Sequence, residues 1–174
     1  PDLARIYDQV RSLSYLRLRD ENRGGAVDAW SLTLSYQRAE EDFLRSRTSG
    51  GNLRNEVDRT VVDTFGVALQ LESEFAGSTL VYGADYYQDQ VDSWHRDVRI
   101  DPGTGAVTSS TMALQGPVGD NARYDLLGVY AQDRMPLGDE LELTLGGRYT
   151  YAAADIDVLD DGAGNPVAAE RDWD

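Results

Sequence analysis

Residues 122–151 read ARYDLLGVYAQDRMPLGDELELTLGGRYTY. From Leu141 onward the odd positions, Leu141, Leu143, Leu145, Gly147, Tyr149 and Tyr151, are apolar, aromatic or glycine, while the even ones are Glu142, Thr144, Gly146, Arg148 and Thr150. A period of two marks a strand with one apolar and one wet face. A second run of strand character covers residues 124–134, and Met135-Pro136-Leu137-Gly138-Asp139-Glu140 between the two carries the Pro, Gly and Asp of a tight reversal. The unit is a long antiparallel hairpin. Strands of soluble domains cluster at roughly five or six residues, whereas each arm here reaches about ten, the length a tilted strand needs to cross a bilayer.

Composition narrows the classes further. The 174 residues carry a formal net charge of −15, and all 16 basic residues are arginine. So acidic a chain has no basic stripe to meet phosphates, which argues against nucleic acid as a partner. No segment approaches the run of about 18 apolar residues that a membrane-spanning helix requires. A membrane barrel hides its apolar residues in alternation, so a mean hydropathy of −0.49 is compatible with one. Cysteine is absent, which removes disulfide frameworks, zinc-thiolate sites and thiol nucleophiles together. The opening Pro1-Asp2-Leu3-Ala4-Arg5 lacks the basic and apolar regions of a signal peptide. Both ends read as cuts, and the chain as an internal piece of a longer protein.

Taken in order, residues 6–20 form a first strand that alternates only where Leu16 and Leu18 oppose Arg17 and Arg19, so its register stays open. A short link, Glu21-Asn22-Arg23-Gly24-Gly25, leads to a second with Trp30, Leu32, Leu34 and Tyr36 on one face. After a charged connection over residues 46–56, a third strand sets Phe65, Val67, Leu69 and Leu71 against Thr64, Gly66, Ala68, Gln70 and Glu72. Phe75-Ala76-Gly77-Ser78 is a tight turn. The fourth strand has Leu80, Tyr82, Ala84 and Tyr86 on one side and Val81, Gly83, Asp85 and Tyr87 on the other. Long loops are expected near 93–121 and 155–174, flanking the hairpin, whose first arm, the fifth strand, has apolar residues on both faces. The expectation is an all-β antiparallel up-and-down meander of about six long strands. Short and long links alternate along it, as they do in a membrane barrel with short periplasmic turns and long external loops. On that reading Tyr86, Tyr149 and Tyr151 sit at the outer interface and Trp30 at the inner one. Leu80, Tyr82, Leu141, Leu143 and Leu145 then face lipid, together with the apolar faces of strands two and three.

The hairpin also resembles the strand-turn-strand of TonB-dependent outer-membrane receptors. The residues that carry the likeness are Gly128, Val129, Tyr130, Gln132, Asp133, Leu141, Thr144, Gly146, Gly147, Arg148 and Tyr149. Upstream, Leu80-Val81-Tyr82-Gly83-Ala84-Asp85-Tyr86-Tyr87 is similar to the strand that precedes a long external loop in that family. The resemblance implies a transmembrane barrel of about 22 strands with a plug, of which this chain supplies part of the wall. It implies a Gram-negative outer-membrane location, with membrane lipid as one partner and the TonB complex as another through the missing plug region. It implies uptake of a scarce ligand such as a ferric siderophore, haem or cobalamin. A passive porin-like barrel and a soluble all-β binding module are the alternatives. The soluble module requires Trp30, Leu32, Leu34 and Tyr36 to share a core with Leu141, Leu143 and Leu145.

Arg148, His95, Trp94 and Tyr87 are the candidate ligand-binding residues. Arg148 lies on the polar face, where it pairs with an anionic ligand or the plug, or else is a solvated arginine bonded to nearby carboxylates, the reading favoured here. His95, the only histidine, is either a haem axial ligand or an exposed loop residue. Asp155, Asp157, Asp160, Asp161 and Asn165 crowd around two glycines, but their spacing does not match an EF-hand, so the stretch reads as a solvated acidic loop and no metal is assigned. There is no phosphate loop, no His-Glu-x-x-His and no Gly-x-Ser-x-Gly. The chain reads as a non-enzyme without a cofactor.

Overall fold

The computed structural model describes residues 2–21 and 25–173. They form one antiparallel sheet with no helix: β1 (Asp2–Asp20), β2 (Ala29–Ser49), β3 (Asn52–Phe75), β4 (Ser78–Ile100), β5 (Val107–Met112), β6 (Asp120–Pro136), β7 (Glu142–Asp160) and β8 (Pro166–Trp173). The spatial order is β1-β2-β3-β4-β6-β7-β8, and β5 pairs with β4. The all-β meander is as expected, but with eight strands instead of about six. Asn22, Arg23 and Gly24 of the first link lie outside the described residues.

Register aligns the apolar positions in rows. Leu16, Leu34, Val67, Tyr86, Leu127 and Tyr151 are successive cross-strand partners from β1 to β7. The next row is Leu18, Leu32, Leu69, Ala84, Val129 and Tyr149, followed by Trp30, Leu71, Tyr82 and Ala131. Tertiary pairing thereby fixes what local alternation left open, since Leu16 and Leu18 of β1 and Leu127 and Val129 of β6 join the apolar face. Leu126 and Tyr130 take the other.

No second layer of described residues covers that face. Among the described residues Val61 is the only buried apolar side chain, while Phe65 is 47 % exposed and Tyr149 55 %. The two apolar sets that a soluble sandwich would press together lie instead on the same side of a single sheet. Leu141 departs from its expected place: it belongs to the turn, where its carbonyl accepts from Leu137 N (2.8 Å).

The strands run well past the apolar rows. Residues 46–56, expected as a connection, are β2 and β3 joined by Gly50-Gly51, whose φ values of 58° and 82° make a two-residue hairpin turn of type I′. The expected loops near 93–121 and 155–174 are likewise largely strand. β4 continues to Ile100, β5 pairs its far end from Arg96, and β6 pairs its near end up to Val91. Of the second stretch, only residues 161–165 form a turn before β8. Backbone pairing and ion pairs carry these extensions. On the apolar side, beyond the last apolar row, Tyr36 Oη donates to Asp63 (2.6 Å) and Arg38 reaches the same carboxylate (3.2 Å). The pattern repeats where Tyr86 and Arg123 both bond Asp125.

Candidate functional site

The opposite face of the sheet carries the polar chemistry. Near the short turns, Arg148 of β7 forms a two-pronged ion pair with Asp85 of β4, Nη1 to Oδ2 at 2.8 Å and Nη2 to Oδ1 at 2.7 Å. Its guanidinium lies 6.0 Å from the ring centre of Tyr130, whose hydroxyl donates to Gln70 (3.3 Å). Two glycines make room for this group. A Cβ on Gly83 would stand 2.2 Å from the Leu69 carbonyl and 2.8 Å from Tyr130 Oη, and one on Gly128 would stand 1.9 Å from Arg148 Nη2. Gly66 likewise receives the ring of Tyr87. Arg148 is thus bonded to a carboxylate two strands away in the sheet.

Of the four candidate residues, Arg148, Tyr87 and His95 share this face. Trp94 takes the other, because adjacent residues of a strand alternate. The three do not converge. Arg148 bonds at the level of Asp85, and His95 lies ten residues further along β4, about 33 Å at the rise of an extended strand. There Asp58 Oδ1 holds the His95 Nδ1, opposite it in register.

Between these levels, the segment joining β5 to β6 folds over the polar face. Ala113 N bonds His95 O (3.0 Å), Gly116 N bonds Ser93 O (3.1 Å), and Ser93 N donates to Asp120 (2.8 Å). Ser93 is completely buried beneath Gly116. Pro117 and Val118 roof a cavity of about 620 Å³ with Gln9, Arg11, Glu41 and Thr60 in its wall. The stacked rings of Tyr7 and Phe43, 4.5 Å apart, lie beside it.

The hairpin-tip end of the same face holds an arginine group that sequence reading missed. Glu56 accepts from Arg47 (2.9 Å) and pairs with Arg54 (3.1 Å) and Arg45 (3.8 Å). Arg54 also donates to Asp97 (2.7 Å), while Arg45 and Arg5 meet at Asp2. The only local signal was the alternation in Arg45-Ser46-Arg47. The remaining partners come from three other strands.

The acidic residues of the last expected loop serve its turn. Asp160 Oδ1 accepts from Gly162 N (2.7 Å) and Gly164 N (3.1 Å), and Asp161 Oδ1 from Ala163 N (2.7 Å) and Asn165 N (3.1 Å). Asp161 stays below the usual carboxylate range because the Asn165 side chain and these backbone amides donate to it.

No curated protein matches the sequence significantly. The family model described as "TonB dependent receptor-like, beta-barrel" matches residues 5–173, which reach into every strand of the sheet. A single-layer meander with one apolar face, one charged face and that match over nearly its whole length belongs to the TonB-dependent receptor β-barrel family.

Proposed function

We propose that this sheet is wall of a Gram-negative outer-membrane receptor that imports a scarce ligand, such as a ferric siderophore or haem, with energy delivered by the TonB complex. One observation carries the reading: the apolar rows are continuous across six strands on one face, while Arg17, Asp85, Gln70 and Arg148 occupy the same heights on the other. A charge turned to lipid costs about 2–4 kcal/mol at mid-bilayer, and one turned to a wet lumen costs little. The apolar rows therefore face lipid and the charged face lines the lumen. Tyr36, Tyr86 and Tyr151, beside the ion pairs of Arg38 and Arg123, mark the outer boundary, and Trp30 the inner one, whereas Tyr149, expected at the outer boundary, stands one row deeper with Leu69 and Val129. Of the original candidates, Arg148, Tyr87 and His95 are left to face ligand or plug, while Trp94 turns outward. Closure of the barrel and contact with TonB require strands and a plug outside this sheet.

Single cysteines at Leu143 and Thr144 of the intact receptor in outer-membrane vesicles test the embedding with a water-soluble thiol reagent. Thr144→Cys is expected to react and Leu143→Cys to be protected. Equal reaction at both sites, or a receptor soluble without detergent, overturns the membrane assignment. Transport is tested by uptake of a radiolabelled iron chelate into cells producing the receptor. Uptake must stop when the proton gradient is collapsed, and gradient-independent passage makes the barrel a passive porin.

A further inference from the structure

We infer that Arg5, Arg45, Arg47, Arg54 and Arg99, at the hairpin-tip end of the charged face, form a binding site for a polyanion bearing several carboxylates or phosphates. The assignment deepens the transport reading and rests on it for its physiological meaning, since it gives the imported ligand a charge.

Register carries the argument. Arg47 stands directly opposite Arg54, Arg54 directly opposite Arg99, and Arg5 directly opposite Arg45. Like charges in direct cross-strand pairs destabilise a sheet. Three such pairs in two adjacent rows, in a chain whose net charge is −15, are the reverse of what a merely solvated surface would select. The acids present do not cancel them. Four of the five guanidinium groups share three carboxylates, those of Asp2, Glu56 and Asp97, and Glu56 alone serves three of them. Arg99 is exposed and makes no ion pair among the described residues. Arg47 Nε is shielded from water and has no hydrogen-bond partner.

The surroundings add donors, while the acids on either side are already bonded, Asp58 to His95 and Asp101 to the amides of its own turn. Ser109 and Thr111 of β5 lie opposite Arg99 and Asp97, on the same face. Glu56 Oε2 and Asp97 Oδ1 also lack hydrogen bonds, but each carboxylate is already flanked by guanidinium, so a cation gains little there. A polyanion gains at every arginine. Guanidinium is planar, permanently charged and matched to two oxygens of a carboxylate or phosphate at once. The site would thus prefer an anionic metal chelate over a neutral one.

Calorimetry on the detergent-solubilised intact receptor tests this, with citrate and pyrophosphate as polyanionic ligands and a neutral ferric trihydroxamate as the comparison. Both polyanions are expected to bind, and more weakly as salt rises. The neutral chelate is expected to show no dependence on these arginines. Arg99→Gln, which breaks no ion pair, should weaken polyanion binding about tenfold, the usual size of one lost charge-assisted contact. Arg99→Lys should recover part of it. Arg123→Gln, on the opposite face, should leave affinity unchanged. If neither polyanion binds the unmodified receptor, or Arg99→Gln binds as tightly, the assignment is overturned. The transport reading survives that result if gradient-driven uptake persists. Conversely, a protein that binds polyanions through Arg99 but labels equally at residues 143 and 144 keeps this site and loses the membrane reading.

Discussion

Two glycines decide how closely the strands of the charged face carry their large side chains. Gly83 and Gly128 both sit in mid-strand, but the neighbours that fill their missing Cβ differ. At Gly83 the obstacle is the Leu69 carbonyl, 2.2 Å from an added Cβ, and backbone inside a paired strand cannot move aside. At Gly128 it is the end of the Arg148 side chain, 1.9 Å away and free to swing. Gly83→Ala is therefore expected to cost about 1–3 kcal/mol as overpacking. Gly128→Ala should cost less in stability but break the bond to Asp85, so that a further Asp85→Asn change adds almost nothing. Denaturant unfolding of the folded receptor in vesicles, run as a double-mutant cycle, measures both. Ala76 presents the opposite case. It sits in the left-handed region at φ 52°, where a Cβ is strained, next to Gly77 at φ 84°. Replacement by glycine should raise stability by roughly 0.5–1 kcal/mol in the same assay.

At the scale of elements, the hairpin tips are held by side chains bonded to their own backbone. Asp101 Oδ1 accepts from Gly103 N (2.9 Å), Thr104 N (2.9 Å) and Thr104 Oγ1 (3.2 Å), closing the tip between β4 and β5. The Thr104 amide, followed by that of Gly103, holds its carboxyl below the ordinary 3.8. A group whose folded value is lowered contributes stability that is complete above its unfolded value and disappears as pH falls through the folded one. Protection of the Gly103 and Thr104 amides against hydrogen exchange, corrected for intrinsic rates, should thus hold above about pH 4 and fall below it. Asp101→Ala should remove it at every pH. Such tips explain why element boundaries were hard to read. Between Trp30 and Tyr36, or Leu143 and Tyr151, the two faces meet different surroundings and composition alternates. Around Arg38, Glu40, Asp63 and Gln90 the polar side chains lie on the face that was apolar, while Ala39, Val62 and Val91 form one row on the other, so the alternation changes sense although pairing continues. The same logic sorts the candidate site. Strand parity was enough to put Arg148 with Glu142 and Thr144, but residues 93–121 read as a loop, so Trp94 stood beside His95 among the candidates although β4 turns the two to opposite faces. The arginine group was out of reach, because positions 5, 45, 47, 54 and 99 become neighbours only through the register of four strands.

For the molecule as a whole, the decisive question is what medium meets each face, and depth along one strand can answer it. Leu69 lies in the middle apolar row, between Leu32 and Ala84, whereas Phe65 lies beside the ion pairs of Arg38 and Asp63 at the edge of the rows. Ala68 occupies the charged face opposite Asp85. In a bilayer, Leu69→Arg should cost about 2–4 kcal/mol and Phe65→Arg, after allowance for its lost ring, about 0–1 kcal/mol, because the penalty fades toward the interface. Ala68→Arg should be close to neutral, with a carboxylate across from it and water around it. Denaturant unfolding of the three variants in lipid vesicles gives the comparison. If the apolar face instead met water, Leu69→Arg and Phe65→Arg would differ only by packing, and no gradient with depth would appear. A soluble partner covering that face would penalise all of its positions, including the boundary ones, so the shape of the gradient separates lipid from protein as the covering layer.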